Sequence, residues 1–261
     1  MNEGEITAYD RVNIAREIGR RGIFDYIEEL FDEFIEMHGD RLFRDDPSIV
    51  GGIASFHGRP VTVIGHRKGS STEENIKYNF GMTSPEGYRK AVRLMREAEK
   101  FNRPVITFVD TPGAYPGLEA ESNGQSNAIA ESIACMSRLK VPTISIITGE
   151  GSSGGALAIA MADRVYMLEN AVYSILSPEG FATILWKDSK RAAEAAEIMK
   201  ITANDLYELH LIDGVIMENR RMMASIEEEI TKSLEELDKH SSRALIADRL
   251  DKYRKFSRIE G

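Results

Sequence analysis

Two glycine-rich segments have the composition of loops that present backbone amides to an anion. Residues 110–117 follow the apolar run 104–109, and residues 149–155 follow the apolar run 142–147. Glycines at a strand-to-helix junction let unpaired N–H groups point at one spot, and the positive end of the helix reinforces their effect. Such a nest binds a phosphate, or an oxyanion that develops during a reaction. Each segment is therefore a candidate site for a negatively charged oxygen.

The second segment also matches a pattern typical of dinucleotide-binding proteins. Residues 149–154 read G-x-G-x-x-G, and Glu169 follows at the spacing of a ribose-binding acid. An NAD-binding protein would need this unit to begin a larger parallel sheet, whereas the helical run after it is short. Residues 110–113 match the D-x-x-G of GTPases, but the sequence contains no G-x-x-x-x-G-K-[ST] phosphate loop. A GTPase is therefore excluded.

Serine hydrolysis is an alternative chemistry for the same segment. Residues 151–155 read G-x-S-x-G, which is the nucleophile-elbow pattern with Ser153 as the nucleophile. Asp205 and His210 follow in the chain order Ser, Asp, His. Both partners lie in one short segment that reads as a helix, which argues against a triad. A serine hydrolase using Ser153 is the runner-up hypothesis.

The two glycine segments can act together if their strands are neighbours. Gly113 and Ala114 would then stand beside Gly154, Gly155 and Ala156. Two adjacent oxyanion holes suit group transfer between two carbonyl-like partners, because each partner gains negative charge on an oxygen. The pattern therefore favours group transfer assisted by backbone amides.

Strand, glycine loop and helix occur twice in the middle of the chain, which predicts an α/β layered fold. Before them we expect a helix over residues 24–34 that stops at 38–40, and a strand hairpin over 49–64. Residues 65–77 are polar and read as an exposed loop. Further helices are expected from Pro85, through Met136, over 156–162, from Pro178 and over 226–237, with short strands over 164–168 and 172–175.

The composition is ordinary for a globular protein of 261 residues, with 42% hydrophobic and 29% charged residues and a net charge of −9. The acidic balance argues against binding to nucleic acid. The single cysteine, Cys135, excludes a zinc site built on several cysteines, and the histidines lack the spacing of metal ligands. The apolar stretches fall short of the roughly 20 residues that a membrane span needs. We expect a cytoplasmic protein without a metal site.

The chain divides into three predicted parts. Residues 1–40 form an N-terminal helical segment, residues 41–220 the central domain and residues 221–261 a C-terminal helical extension. This extension carries a basic run from Arg243 to Arg258. We expect that run to form a solvated or interface helix and not a nucleic-acid-binding arm.

Eight motifs are long enough to be specific for a single family. They are Asp40-Arg41-Leu42-Phe43, Gly65-His66-x-Lys68-Gly69, Asn79-Phe80-Gly81-Met82, Pro85–Ala91, Asp110–Gly117, Gly124-Gln125-Ser126, Gly149–Ala160 and Ser177–Gly180. Together they resemble the carboxyltransferase α subunits of bacterial acetyl-coenzyme A carboxylase. The resemblance runs from about Ala8 to about Ile216.

The resemblance implies a crotonase-like (ClpP/crotonase) fold of repeated ββα units over residues 41–220, with flanking N- and C-terminal helices. It implies transfer of a carboxyl group from carboxybiotin, presented by a biotin carboxyl carrier protein, to acetyl-coenzyme A. The product is malonyl-coenzyme A, and the reaction is the first committed step of fatty acid synthesis.

The resemblance also implies partners for this chain. They are a carboxyltransferase β subunit in an α2β2 assembly, the carrier protein and a biotin carboxylase. The β subunit would carry zinc and bind most of the coenzyme A. This chain would then hold no metal and no covalently bound cofactor, and it would be active only with the β subunit.

In such a reaction the ureido oxygen of biotin and the thioester oxygen gain negative charge, and both need hydrogen-bond donors. We assign the amides of Gly154, Gly155 and Ala156 to the biotin-side oxyanion, and those of Gly113 and Ala114 to the second oxyanion. The ureido nitrogen itself can serve as the base, so a catalytic side chain is not expected.

Three basic residues are candidates for binding coenzyme A. Arg67 and Lys68 lie in the polar segment and Arg89 in the helix after it. We expect these side chains to contact the phosphates of coenzyme A or the partner subunit.

Overall fold

The sheet of this protein has eight strands in the part of the chain that the computed structural model describes, residues 6–256. Residues 1–5 and 257–261, including Arg258 of the predicted basic run, lie outside the described residues. The strands are β1 (Asp32–Glu36), β2 (Ile49–Phe56), β3 (Arg59–His66), β4 (Val105–Thr111), β5 (Thr143–Ser152), β6 (Arg164–Leu168), β7 (Val172–Ser174) and β8 (Gly214–Ile216). Their order is β1-β2-β3-β4-β5-β6-β8, and β7 pairs with β5.

Helices follow most of the strands, which confirms the predicted α/β fold. Pro85 begins one helix and Pro178 another, as predicted, and the side chain of Ser177 accepts a hydrogen bond from the Gly180 amide as the expected cap. The helices are α1 (Ala8–Ala15), α2 (Ile23–Leu30), α3 (Thr72–Lys77), α4 (Pro85–Lys100), α5 (Leu118–Ser122), α6 (Gln125–Arg138), α7 (Ser153–Ala160), α8 (Pro178–Trp186), α9 (Ala192–Met199), α10 (Ala203–Glu208), α11 (Met222–Leu237) and α12 (Ser242–Lys255).

Strands β2 and β3 form the predicted hairpin. They pair antiparallel in unbroken register along their full length. The turn between them consists of His57 and Gly58, whose φ angles are +51° and +76°. A type I′ turn requires positive φ at both central positions, and its twist matches that of the two strands.

Strands β4 and β5 are parallel neighbours at the centre of the sheet. Every residue of β5 is buried, and in β4 only Asp110 is partly exposed. Parallel strands covered on both faces read as continuous apolar runs, and this pattern identifies both strands in the sequence. The two glycine segments that follow them therefore lie at the same edge of the sheet.

The predicted helix over residues 24–34 is wrong beyond Leu30. The chain turns extended at Phe31, whose ring packs between those of Phe56 and Phe108 in the core, and it continues as β1. Strand β1 comes so close to β2 that a Cβ at Gly52 would lie 2.1 Å from the Ile35 carbonyl oxygen. The spacing of the aromatic residues in this segment is that of a helix. Gly52 has no side chain, however, and so leaves room for this segment to pair with β2 as a strand.

The predicted exposed loop over residues 65–77 is also wrong in part. Its second half is α3, which is capped by the Ser71 side chain. At its start, His66 is 2% exposed, so this histidine belongs to the interior. Burial lowers the pKa of His66 to about 3, which keeps the imidazole neutral.

Both segments after the central strands differ from the expectation. The sequence predicts one helix through Met136, but Gly124, with a φ of +83°, separates α5 from α6. Strand β5 continues through Ser152, so residues 149–152 are strand and not loop. Helix α7 accordingly begins at Ser153, three residues earlier than predicted.

The C-terminal helix is joined to the core by a buried arginine. Arg249, in α12, has a fully buried side chain, and its guanidinium donates to both carboxylate oxygens of Asp163 at 2.8 and 2.7 Å. It also donates to the backbone carbonyls of Met136, Leu139 and Val141. The basic run was expected to be a solvated or interface helix, but this face of α12 is part of the protein interior.

Replacing Arg249 tests how strongly α12 contributes to stability. The change Arg249→Met leaves the Asp163 carboxylate buried without its cation, and we expect it to lower the free energy of unfolding by about 3–5 kcal/mol. Urea unfolding measures the loss. Arg243→Met, on an exposed position of the same helix, is the control and should stay within about 0.5 kcal/mol of wild type. Equal losses for the two variants would show that the buried ion pair is not important for stability.

Candidate active site at the ends of two central strands

The two glycine segments touch each other. The first loop denotes residues 112–117, and the second loop denotes the junction of β5 and α7 at residues 149–155. Strand β4 ends beside β5, with Thr111 opposite Gly151. A Cβ at Gly155 would lie 2.7 Å from both the Ala114 nitrogen and the Gly113 carbonyl carbon. This separation is too short for any side chain, so the close approach of the loops requires glycine at position 155. The strands of the two segments are neighbours, so the condition for the two segments to act together is met.

The second loop presents amides at the start of α7. The cap residue, Ser152, makes no side-chain cap hydrogen bond among the described residues, so the first-turn amides are left for another acceptor. Gly154 is partly exposed, whereas Gly155 and Ala156 are buried. Ala156 is also the fourth helical residue, where a helix makes its first internal hydrogen bond. Gly154 and Gly155 are therefore better placed than Ala156 to bind a ligand oxygen.

The first loop is shaped by an unusual glycine. Gly113 has a φ of +144°, a conformation that L side chains rarely adopt, and its amide donates to the Thr111 hydroxyl at 3.1 Å. That hydroxyl in turn donates to the Gly113 carbonyl at 2.7 Å. Since the Gly113 amide already has a partner, the amide of partly exposed Ala114 is the better donor from this loop.

Tyr88 supports the contact between the loops from beneath. Its side chain is fully buried in α4, and its hydroxyl would lie 3.0 Å from a Cβ at Gly155. Burial raises the pKa of Tyr88, so the hydroxyl stays neutral. Sequence reasoning did not select Tyr88, although it lies within the quoted motif Pro85–Ala91.

A network of ion pairs lies beside the loops, and sequence reasoning missed most of it. Lys68 Nζ is 2.6 Å from Asp110 Oδ1 and 3.1 Å from Glu150 Oε2. Arg16 continues the network, with 2.8 Å contacts to Glu150 and to Glu179. Asp110 and Glu150 lie in the family motifs 110–117 and 149–160. An acidic residue at the end of an apolar strand was the sequence feature that could have identified them. Arg16 carries no such signal, because it comes from the distant helix α1.

The charged groups in this network shift one another's pKa values. Burial disfavours the charged form of Lys68, yet the Asp110 and Glu150 carboxylates outweigh it and raise the pKa of Lys68. Burial similarly disfavours the charged form of Glu150, but Lys68 and Arg16 lower the pKa of Glu150. Lys68 and Glu150 are therefore both charged at neutral pH.

Two clefts open beside the loops. One, of about 490 Å³, is lined by charged residues that include Arg16, Lys68, Asp110 and Glu150, and it reaches Pro112. The other, of about 630 Å³, is mainly apolar and reaches the second loop. Its lining includes Ser153, Gly154, Ile175, Phe181 and Tyr253. The amides thus lie between a polar and an apolar surface.

The three basic residues predicted to bind coenzyme A do not form one cluster of free charges. Lys68 is occupied by two carboxylates. Arg89 pairs with the buried Asp40 carboxylate at 2.8 Å and donates to the Asn123 carbonyl. The Arg67 guanidinium stacks 3.9 Å from the Tyr78 ring centroid, and it lines the charged cleft. Phosphate binding by these residues stays a prediction.

The geometry does not assemble a serine-hydrolase triad. Ser153 has a positive φ of +58°, as a nucleophile elbow would have. However, the Asp205 carboxylate accepts a 2.6 Å hydrogen bond from Thr202 as a helix cap. Within residues 6–256, Ser153 has no hydrogen bond to a histidine. The positive φ instead serves the turn from β5 into α7.

Residues 6–256 contain no group of three or more histidine, cysteine or acidic side chains that could bind a metal ion. In the same part of the chain, no helix is both long and apolar enough to cross a membrane.

A solved structure shares this fold. Transcarboxylase 12S, determined with methylmalonyl-coenzyme A and methylmalonic acid bound, superposes on 92% of this chain with a TM-score of 0.72 and 20% identity. This chain spans 46% of that chain, about half of its length. The protein thus has the crotonase-like fold of carboxyltransferases, as the family resemblance of its motifs implies.

The sequence comparisons define the family. Residues 3–257 match the family described as acetyl co-enzyme A carboxylase carboxyltransferase-like. The acetyl-coenzyme A carboxylase carboxyl transferase subunit alpha of Clostridium acetobutylicum is 56% identical, over 99% of this chain and 97% of the relative. The carboxyl transferase subunits beta/alpha of Natranaerobius thermophilus are 54% identical over 98% of this chain and 44% of the relative. This chain belongs to the family of acetyl-coenzyme A carboxylase carboxyltransferase α subunits.

The charge of Glu150 can be tested by its effect on stability at two pH values. Glu150→Gln keeps the shape of the side chain but removes its charge, and we expect it to lower the free energy of unfolding at pH 7 by about 1–3 kcal/mol. The folded-state pKa of Glu150 lies below its ordinary value of 4.5. The stabilisation is therefore present above pH 4.5 and is lost as the pH falls below that value.

Urea unfolding near neutral pH and near pH 3 measures this difference. Glu131→Gln is the control, because the Glu131–Arg96 pair is a surface pair with half-exposed side chains. The control should change little at either pH. A Glu150→Gln deficit that is the same at both pH values would contradict an ionic role for Glu150.

Proposed function

We propose that this chain is the α subunit of an enzyme that transfers a carboxyl group from carboxybiotin to acetyl-coenzyme A, forming malonyl-coenzyme A. The contact between the two glycine loops is the observation that carries the proposal. It brings the amide donors of both loops within one site, and the family of the chain supplies the class of reaction. We further propose that the reaction takes place in the cytoplasm as the first committed step of fatty acid synthesis.

The amides of this chain would act where negative charge develops. Release of the carboxyl group from carboxybiotin places charge on the ureido oxygen, and we assign the Gly154 and Gly155 amides to it. Each well-placed donor contributes about 3–4 kcal/mol to transition-state stabilisation. The turn into α7 holds these amides in place before the substrate arrives, so little reorganisation is needed. Ala156, buried behind them, would serve mainly to fix the first turn of the helix.

The first loop would serve the second oxygen. Loss of a methyl proton from the acetyl thioester places charge on the thioester oxygen, and the Ala114 amide is assigned to it. Gly113 would shape the loop more than donate, because its own amide is bonded to Thr111. The ureido nitrogen of biotin can accept the methyl proton. This division leaves no step that requires Ser153 or another nucleophile.

A second subunit would complete the site. We propose a carboxyltransferase β subunit in an α2β2 assembly, which would bind zinc and most of the coenzyme A. The Natranaerobius relative, whose name includes both β and α subunits, supports this pairing. The apolar cleft beside Gly154 supports it too, since Ile175 at its edge is 79% exposed. Biotin carboxylase and the biotin carboxyl carrier protein would supply carboxybiotin.

Phosphate contacts are proposed only where the geometry allows them. Arg67 lines the charged cleft, and its stacked guanidinium keeps N–H groups for an anion such as a coenzyme A phosphate. Arg89 borders a separate surface cleft with Asp40 and Arg93, where it would contact the partner subunit.

Dependence on the β subunit is the first prediction of this proposal. The isolated chain is expected to show no measurable transfer from malonyl-coenzyme A to biocytin, because half of the site is missing. Transfer should appear when purified β subunit is added, and it should saturate at one β per α. Full activity of the isolated chain would contradict the division of the site between two subunits.

The glycine contact gives the second prediction. In Gly155→Ala the new Cβ would meet backbone atoms of the first loop at 2.7 Å, so the loops must separate. We expect the turnover number of the α–β complex in the biocytin assay to fall about 100-fold, since small misplacements of catalytic groups have effects of this size.

Gly180→Ala is the matched control for this substitution. A Cβ at Gly180 would come no closer than 3.3 Å to the described atoms around it, and both of its neighbours are side-chain atoms. This variant should retain wild-type turnover. Wild-type turnover in Gly155→Ala would disprove the assignment of the amides to the reaction.

A further inference from the structure

Lys68 connects the two strands that end in the glycine loops. It lies two residues beyond the end of β3, and its side chain is 21% exposed. Its ammonium group contacts Asp110 of β4 and Glu150 of β5, at 2.6 and 3.1 Å. Asp110 precedes Gly113 by three residues, and Glu150 precedes Gly154 by four. One cation therefore bridges the bases of both loops.

The backbone pairing is interrupted where Lys68 acts. The register of β4 and β5 is regular up to Val109 and Ile147 and resumes at Thr111 and Gly151. Three residues of β5 therefore stand opposite Asp110 alone. A regular ladder of hydrogen bonds cannot fix the separation of the strands across such an irregularity. Side chains must fix it instead.

The side chain of Asp110 connects the two strands where their backbone hydrogen bonds are interrupted. Its carboxylate oxygen Oδ1 accepts a 2.9 Å hydrogen bond from the Glu150 amide. The strands are so close here that a Cβ at Gly149 would lie 2.4 Å from the same oxygen. Lys68 neutralises this carboxylate at 2.6 Å. Without the ammonium group, the carboxylates of Asp110 and Glu150 would face each other across the irregularity and repel.

Arg16 cannot replace Lys68 in this role. Arg16 contacts Glu150 and Glu179, at 2.8 Å in both cases. It therefore connects the second loop to α1 and α8, and within residues 6–256 it forms no ion pair with Asp110. Lys68 is the cation in the described residues that pairs with acids of both β4 and β5.

We propose that Lys68 is a positioning residue that sets the distance between the two amide loops. This inference rests on the proposed function, because the distance matters only if both loops act on one transferred group. Lys68 does not contact the reacting oxygens. It holds Asp110 and Glu150 together, and the amides that follow these acids then face their two oxygens at a fixed separation.

Lys68→Met in the α–β complex tests the proposal. We expect the turnover number for transfer from malonyl-coenzyme A to biocytin to fall about 100-fold. The KM for malonyl-coenzyme A should stay within about threefold. The loss of an interaction that is made only in the transition state lowers kcat and leaves substrate binding unchanged. Lys68→Arg, which retains a cation between the acids, should recover most of the turnover.

Lys252→Met is the matched control. Lys252 is 18% exposed and pairs with Asp213, so its burial resembles that of Lys68, but its own polar contacts are with Asp213 and the Asp163 carbonyl and not with the acids of β4 and β5. The control should lose similar thermal stability while keeping its turnover. A purely structural role of Lys68 would make the two variants alike in both properties, and this result would overturn the proposal.

The remaining outcomes are also decisive. If malonyl-coenzyme A binds more weakly in Lys68→Met and kcat is unchanged, Lys68 contacts the thioester and is not a positioning residue. If Lys68→Met does not fold, Glu150→Gln serves instead, since it leaves the Lys68–Asp110 pair intact. It should also lower kcat alone, by about tenfold, and an unchanged kcat would overturn the proposal. If the wild-type complex transfers no carboxyl group, the proposed function itself fails.

Discussion

The ends of β4 and β5 approach each other too closely for side chains to stand between them. A Cβ would lie 2.4 Å from Asp110 Oδ1 at Gly149 and 2.7 Å from the Ala114 nitrogen at Gly155. This close approach of the two backbone segments leaves amides without partners and places the carboxylates of Asp110 and Glu150 side by side. Neighbouring side chains must therefore fill the space and neutralise the charge. Tyr88 fills the space beneath the contact, and the ion pairs neutralise the acids. The arrangement of the site therefore follows from the close contact between the ends of β4 and β5.

The sequence predicted the features of the site that depend on local composition. Continuous apolar runs marked β4 and β5, and the glycines after them marked the loops, because parallel strands and tight turns each have a restricted set of residues. The repeated pattern placed the loops side by side on condition that their strands are neighbours, and β4 and β5 are neighbours. The hairpin over residues 49–64 was predicted for the same local reason. These features require no knowledge of distant contacts.

The features that the sequence did not reveal depend on contacts between distant segments. Phe31 lies at helical spacing from Ile27, yet the rings of Phe56 and Phe108 draw it into the core and a strand follows. The charge of Lys68 suggested solvent or a phosphate, whereas two acids from other strands bind it. No local pattern marks such partners, because each becomes a neighbour only after the sheet has formed.

The attachment of α12 has a consequence for the order in which the protein matures on the ribosome. Chains are synthesised from the N-terminus, and domains begin to fold as they emerge. The carboxylate of Asp163, at the start of the segment leading into β6, is made 86 residues before its cation in Arg249. Until α12 emerges, this acid and the carbonyls at the end of α6 must stay hydrated. Nascent chains can therefore build the central strands early, but they close this side of the interior only after α12 has been synthesised.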